Sequence, residues 1–199
     1  MFEVDTAKPV ILTDPAAAKV LRQWFDFLQE RNNQRQGVAT NGRAWRAELR
    51  RSAQPFGALT TTAFFQLNQS LSTTTRLRQS DTFALAIVAY VVSHVRNDDP
   101  KTSFARQLGE KINGSNPCLS RLRFDRLLAV RTPTELCSQL TRAVKLRGDK
   151  GVNIVSLADG IILWMREWQE REENRPADNN PFKRFSVRWA SEYLLATEK

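Results

Sequence analysis

Residues 103–150 read SFARQLGEKINGSNPCLSRLRFDRLLAVRTPTELCSQLTRAVKLRGDK. Apolar residues such as Leu122, Leu136 and Leu140 recur here at helical spacing, and basic residues fill the positions between them. Because residues three or four apart share one face of an α-helix, this pattern predicts amphipathic helices with apolar inner faces and basic outer faces.

The ends of these helices are marked by capping signals. Thr132 precedes a proline and stands three residues before Glu135, which predicts a capping box at the start of a helix that runs to Arg147. Ser120 is predicted to cap the start of the helix over residues 121–130. Upstream, residues 103–112 predict a short helix that ends at an Asn-Gly pair.

The same pattern extends outward over the rest of the chain. Further helices are predicted over residues 15–31, 43–53, 60–71, 81–92, 121–130 and 181–193, and a long one begins at about residue 153 and ends in the charged tail at residues 169–175. Residues 83–92 are apolar on every side, which predicts a buried central helix. The last helix is predicted to turn Phe182, Phe185, Trp189 and Tyr193 inward. No sustained period-two alternation and no repeat is present, so we predict an all-α protein with about nine helices in two packed bundles.

A charged, proline-containing linker at residues 98–101 predicts a boundary between two subdomains. Residues 1–100 would form an N-terminal helical subdomain. Residues 101–199 would form a C-terminal helical subdomain with a basic face.

Positive charge is concentrated in one part of the chain. Residues 101–150 hold eleven Lys and Arg against four Asp and Glu, a net charge of +7 out of +9 for all 199 residues. Solvated helix surface is the simple alternative, but solubility alone gives no reason to concentrate charge, so a polyanion is the favoured partner. Nucleic acid ranks first and an anionic membrane surface second. Arg43, Arg46 and Arg50 share one helix face beside Arg51 and predict a second basic patch.

Residues for catalysis or metal binding are sparse. His94 is the only histidine and lies among valines, which favours a structural role. Asp98 and Asp99 precede a proline and are read as a solvated loop. The two cysteines, Cys118 and Cys137, are too few for a disulfide framework or a four-ligand zinc site. We therefore predict no enzyme activity, no metal and no cofactor.

Membrane insertion and secretion are also not expected. The longest apolar run is too short to span a bilayer, and the N-terminal residues lack the features of a secretion signal. The chain is therefore expected to be cytoplasmic. Its tryptophans are expected in the core, except Trp45, which lies within the arginine-rich helix.

The quoted stretch, followed by VNIVSLADGIILW and SVRWASEYLL, resembles the C-terminal half of CasB, the small subunit of the type I-E CRISPR Cascade complex. The aromatic helix around Trp24 and the segment ELRRSAQP are similar to the opening of that family. The resemblance covers nearly the whole chain. A longer loop at residues 32–42 and a hydrophilic insert at residues 170–180 depart from the family pattern.

The resemblance implies an all-helical, non-enzymatic subunit, present as a pair of copies. It would contact the large subunit, the guide-bearing backbone subunits, the guide RNA, and the target and non-target DNA strands. Carried over, the nucleic-acid-binding positions are Arg50, Arg51, Arg106, Arg121, Arg123, Arg126, Arg131, Arg142 and Lys145. The alternatives are a stand-alone basic DNA-binding protein, such as a helix-turn-helix regulator, and a small nuclease.

Overall fold

The structure is a computed structural model that describes residues 14–30, 33–35 and 38–198, without the side chains of residues 31–40 and 113. Nine α-helices lie within these residues: α1 (Pro15–Phe27), α2 (Gly42–Arg51), α3 (Thr62–Ser72), α4 (Asp81–Ser93), α5 (Phe104–Gly109), α6 (Arg121–Leu128), α7 (Pro133–Arg147), α8 (Ile154–Glu172) and α9 (Phe185–Thr197). The prediction of an all-α fold with about nine helices is confirmed. The N-terminal residues 1–13, on which the expectation about secretion rests, lie outside the described part.

Helix α4 is the centre of the protein. Every residue from Ala84 to Ser93 is buried, as the apolar sequence predicts. Helices α2, α3, α7 and α8 pack around it. Phe83, in its first turn, is the exception to the predicted burial and is 45% exposed. Complete burial of one leucine, isoleucine or valine side chain stabilises a fold by roughly 1.5–3 kcal/mol. Within the described residues, no helix combines the length and apolar character needed to cross a bilayer.

A second set of contacts joins α5, α8 and α9. Glycines permit a close approach at two points: a Cβ at Gly109 would lie 2.5 Å from the carbonyl oxygen of Tyr193, and one at Gly160 would lie 2.5 Å from the Trp189 ring. The ring of Phe124 stacks on Tyr193 with centroids 3.9 Å apart. These contacts fix α9 against α5, α6 and α8.

The predicted division near residue 100 stays a prediction. Two features cross it: the apolar core is continuous between α4 and α8, and the backbones of Asp98 and Val152 form a parallel bridge.

The carboxylate of Asp98 accepts hydrogen bonds from Arg22 Nε at 3.1 Å and from the backbone N–H of Ile154 at 3.2 Å. Asp98 is therefore half-buried and bonded, and the prediction of a solvated loop at this position is wrong.

Two short antiparallel hairpins were not predicted. Strand β1 (Asn33–Arg35) pairs with β2 (Val38–Thr40), inside the segment expected to be a loop. Strand β3 (Lys111–Asn113) pairs with β4 (Asn116–Pro117). Helix α5 therefore ends at Gly109, where it closely contacts α9, and does not continue to residue 112 as predicted. Strands of two or three residues are too short for a period-two pattern to be recognised.

Phe182 and Leu122, both predicted to face inward, are also exposed. Phe182 lies in a short 3₁₀ turn, Pro181–Lys183, before α9 begins, so it does not share the inner face of that helix. Leu122 lies roughly 160° around α6 from the buried Phe124, given 100° per residue, and is 62% exposed. The buried face of α6 is the one that carries Phe124 and Leu127.

Candidate nucleic-acid interface

The outer face of α7 carries two of the predicted residues. Arg142 and Lys145 are exposed, stand one helical turn apart, and have no ion-pair partner among the described residues. Ser138, one turn before Arg142 on the same face, donates a hydrogen bond to Gln54 Oε1 at 3.0 Å. Because Gln54 follows α2 closely, this basic face of α7 adjoins the end of α2.

Helix α2 presents its arginines at the C-terminal end of α4. Arg46 Nε and Arg50 Nε both donate to the carbonyl oxygen of Ser93, at 2.7 Å and 2.8 Å. Arg46 also donates to the carbonyl oxygen of Val95. The last carbonyls of a helix lack intrahelical donors and carry partial negative charge, so these two arginines cap α4.

His94 lies at the end of α4 among these cations. Burial, followed by Lys145, Arg50 and Arg46, lowers the pKa of His94 to about 4. The imidazole is therefore neutral near pH 7. Its ring packs edge to face on Tyr90 at 5.1 Å, and Nε2 is buried without a hydrogen-bond partner among the described residues. This packing agrees with the structural role predicted from the sequence.

The charges that act on His94 reveal which helices meet. Lys145 from α7 and Arg50 from α2 both act on one residue at the end of α4. Arg96, just beyond, contributes to a lowered pKa of Arg50, after the larger effect of burial. We call Arg50, Arg96, Arg142 and Lys145 the three-helix basic surface, since their positions come from α2, the end of α4 and α7.

Arg51 extends this surface along α2. It is exposed and lines the same open cleft as Arg50, and neither side chain pairs with a carboxylate among the described residues. Arg96, by contrast, forms an exposed ion pair with Asp149 at 2.7 Å. Exposed pairs of this kind contribute little to stability and are easily exchanged for another anion.

Helix α6 carries three predicted residues, and they divide between its two sides. Arg121 is paired with Asp125 at 2.8 Å and lines a separate cleft of about 290 Å³ with Lys111 and Leu194. Arg123 and Arg126 are exposed, lie on the other side of the helix, and have no partner among the described residues. No described contact connects any of these arginines to the three-helix basic surface.

The two remaining predicted residues are isolated. Arg106 is half-buried on α5. Arg131 is exposed in the link between α6 and α7, and its backbone N–H donates to Glu135 at 2.9 Å. That hydrogen bond, together with the one from Thr132, lowers the pKa of Glu135. The nine predicted residues therefore do not form one site: Arg50, Arg51, Arg142 and Lys145 come together, and the others lie apart.

Sequence reasoning missed Arg96 and the placement of His94. Both follow the apolar run of α4 directly, and only the packing of α2 and α7 on the end of that helix brings them to the basic surface. A polar pair just after a buried helix was the available signal. Trp45 was the one tryptophan left open, and it packs edge to face on Phe27 with centroids 5.0 Å apart.

Acidic and cysteine side chains are the candidates for metal or redox chemistry. Among the described residues, no cluster of three or more His, Cys, Asp or Glu side chains is placed to hold a metal ion. Cys118 and Cys137 are unpaired, and burial raises the pKa of Cys137 to about 12. Glu167 accepts a hydrogen bond from the backbone N–H of Phe185 at 2.6 Å. Burial raises its pKa.

Comparison with known proteins gives one match. A family model described as CRISPR-associated protein Cse2 matches residues 45–194, about three quarters of the chain. No curated protein and no solved structure matches. The matched region includes α3 to α8 whole and most of α2 and α9. The resemblance to CasB is thereby confirmed: this chain belongs to the Cse2 family, the small subunits of type I-E CRISPR Cascade.

Proposed function

We propose that this protein is a non-catalytic Cascade subunit that binds nucleic-acid backbone and stabilises target DNA opened by the guide RNA. In this role it acts in the cytoplasm and contacts the large subunit, the guide-bearing backbone subunits and a second copy of itself. Its ligands are the guide RNA and the target and non-target DNA strands.

The observation that carries this proposal is the three-helix basic surface. Arg50, Arg142 and Lys145 are far apart in sequence, yet folding gathers them around one helix end without carboxylate partners among the described residues. Gathering like charges costs free energy in the free protein, and phosphate groups relieve that cost by neutralising them.

The chemistry of the surface suits backbone binding. Arginine and lysine neutralise phosphates whatever the base, whereas base reading needs side chains that reach base edges in a groove. In guide-directed complexes base pairing supplies the sequence specificity. Exchange of a DNA duplex for an RNA–DNA hybrid is nearly balanced in free energy, so a few phosphate contacts are enough to favour the opened state.

The test is binding of single-stranded DNA across a salt series. Removing Arg142 and Lys145 together (R142A K145A) should reduce the slope of log K against log salt by roughly 0.7 for each phosphate that is no longer neutralised. The expected reduction is similar for DNA of unrelated sequence. Circular dichroism should be unchanged, since both side chains are exposed.

A charge-matched control removes two exposed cations elsewhere. Arg78 and Lys183 line a different cleft, between α8 and the segment that follows it, so R78A K183A should leave the slope nearly unchanged. Equal slopes for both double variants would contradict a localised surface. Metal-dependent DNA cleavage that is abolished by mutation of Asp98 or Asp99 would instead support the nuclease alternative.

A further inference from the structure

An open cleft of about 610 Å³ lies along α2, beside the three-helix basic surface. Gln29, Arg43, Arg46, Ala47, Arg50 and Arg51 line it. No carboxylate stands among these lining residues, so the polar groups that face the cleft are mostly N–H donors. The Gln29 amide nitrogen is a buried donor without a partner among the described residues.

Two of these arginines are tethered in the same way. Arg43 Nε donates to the carbonyl oxygen of Gln29 at 3.0 Å, and Arg50 Nε donates to the carbonyl oxygen of Ser93 at 2.8 Å. In each case the terminal amino groups of the guanidinium have no partner among the described residues. A guanidinium held by Nε has given up much of its rotational freedom before any ligand arrives.

Arg46 has a different part in the cleft. Its guanidinium donates to Gln29 Oε1 and to the carbonyl oxygens of Ser93 and Val95, so most of its hydrogen-bonding capacity is used internally. Burial, then Arg50 and Arg43, lowers its pKa to about 10. Arg46 is therefore a positioning residue that joins α1, α2 and the end of α4.

We propose that Arg43 and Arg50 form a phosphate clamp that holds the backbone of single-stranded nucleic acid through the free edges of their guanidinium groups. Each edge presents two parallel N–H donors, which match two oxygens of one phosphate. The two residues are seven positions apart on one face of α2, about 10 Å along the helix axis at 1.5 Å per residue. They would therefore bind two different phosphates of one strand.

Nucleic acid is favoured over an acidic peptide because the positive charge continues beyond the cleft. Arg96 and Lys145 lie next to it, so a ligand with regularly spaced charges would be neutralised along its length. The inference rests on the proposed function and adds to it. It assigns bidentate contacts to Arg43 and Arg50, where the rest of the surface supplies only charge.

A charge-conserving variant distinguishes a clamp from a diffuse field. R43K R50K keeps both positive charges, but lysine has neither the Nε tether nor the two-donor edge. With oligothymidylate as the probe, we expect its dissociation constant to rise at least about tenfold at fixed salt, with a nearly unchanged salt slope. The matched control, R76K R78K, replaces two exposed arginines that lie outside the basic surface and whose side chains make no hydrogen bond among the described residues, and it should change affinity less than about twofold.

Three results would overturn the clamp. R43K R50K that binds as tightly as the unaltered protein would leave only diffuse charge, and the proposed function would stand if R142A K145A still reduced the slope. Absence of any binding to oligothymidylate would overturn both proposals. Polyglutamate serves as a competitor at the same total charge as the oligonucleotide. If polyglutamate binds as tightly as the oligonucleotide, and if R43K R50K weakens the binding of both equally, the cleft would be assigned to acidic peptides.

Folding of the variant is checked by thermal unfolding in parallel. If R43K R50K is unfolded at the assay temperature, R43K and R50K are measured singly, each with an expected reduction in affinity of about threefold. Two folded single variants with unchanged affinity would also contradict the clamp.

Discussion

At the scale of single residues, Arg147 is the clearest case of a charge whose role cannot be read from its type. It belongs to the most basic stretch of the chain, yet its side chain is 2% exposed. Its guanidinium donates to the carbonyl oxygens of Gly151 and Gln107, at 2.9 Å and 3.0 Å, and pairs with Glu110 at 2.9 Å. It holds the chain between α7 and α8 against the end of α5.

Replacing Arg147 with alanine should destabilise the protein by about 3–5 kcal/mol, because carbonyls and a carboxylate would be left without their buried partner. Urea unfolding followed by circular dichroism measures this change. The matched control is R142A on the same helix, where an exposed side chain is removed and a change within about 0.5 kcal/mol is expected. Equal stabilities for the two variants would show that the internal bonds of Arg147 contribute nothing.

His94 gives the fold a dependence on pH. Its pKa falls from 6.5 to about 4 on folding, owing first to burial and then to Lys145, Arg50 and Arg46. Between these values the unfolded chain binds a proton that the folded protein does not, so stability decreases as pH falls from about 6.5 towards 4. The decrease should be about 1 kcal/mol, allowing for the solvent-exposed part of the ring.

The variant H94Q cannot bind this proton and should lose less stability than the unaltered protein between pH 7 and pH 4.5. Carboxylates titrate in both proteins, so the difference between the two urea-unfolding series isolates His94. Parallel decreases in both series would mean that the imidazole is protonated normally in the folded state.

At the scale of helices, the N-terminal cap positions of α6 and α7, Ser120 and Thr132, can be compared directly. Thr132 accepts a hydrogen bond from the backbone N–H of Glu135 at 3.2 Å, and Glu135 accepts from the backbone N–H of Thr132, also at 3.2 Å. This capping box was predicted from the sequence. Ser120 occupies the equivalent position before α6, but its side chain makes no capping hydrogen bond to the described residues.

Alanine at position 132 should therefore cost about 1 kcal/mol of stability, the usual value for removal of a side-chain cap. Alanine at position 120 should cost much less, since no capping bond is broken. Thermal unfolding of T132A and S120A provides the measurement. A decrease of stability in S120A as large as that in T132A would show that Ser120 caps α6 in solution.

Local signals predicted the helices well, and contacts between helices account for the differences. The apolar run of α4 and the capping box of α7 act within a few residues, so they are visible in one sequence. The end of α5 depends on the close approach of Gly109 to α9. The exposure of Leu122 depends on which side of α6 meets its neighbours. Such facts follow from tertiary packing, which overrides local pattern.

At the scale of the whole molecule, the basic residues divide in a way that composition does not reveal. Charge asymmetry and helical spacing predicted Arg142 and Lys145 correctly as exposed positions. The same reasoning could not show that Arg50 lies near Lys145, that Arg147 is internal, or that Arg121 is paired with Asp125. Arg50 and Lys145 are far apart in sequence, and they come close only because α2 and α7 both pack on α4.

The surface built on α4 leads to a prediction for the assembled complex. If the three-helix basic surface holds DNA that the guide has already opened, it acts after the first encounter, which depends on a short duplex motif read by another subunit. In Cascade reconstituted with a guide RNA, R142A K145A should therefore release matched target DNA faster while its association rate changes little. The difference between the variant and the unaltered complex should become smaller as salt is raised, because salt weakens the same phosphate contacts that the variant has already lost. Association and dissociation rates measured on immobilised target DNA, with R78A K183A as the charge-matched control, test this directly. A slower association with unchanged release would instead place the surface on the approach path of the DNA, where charge steers the encounter.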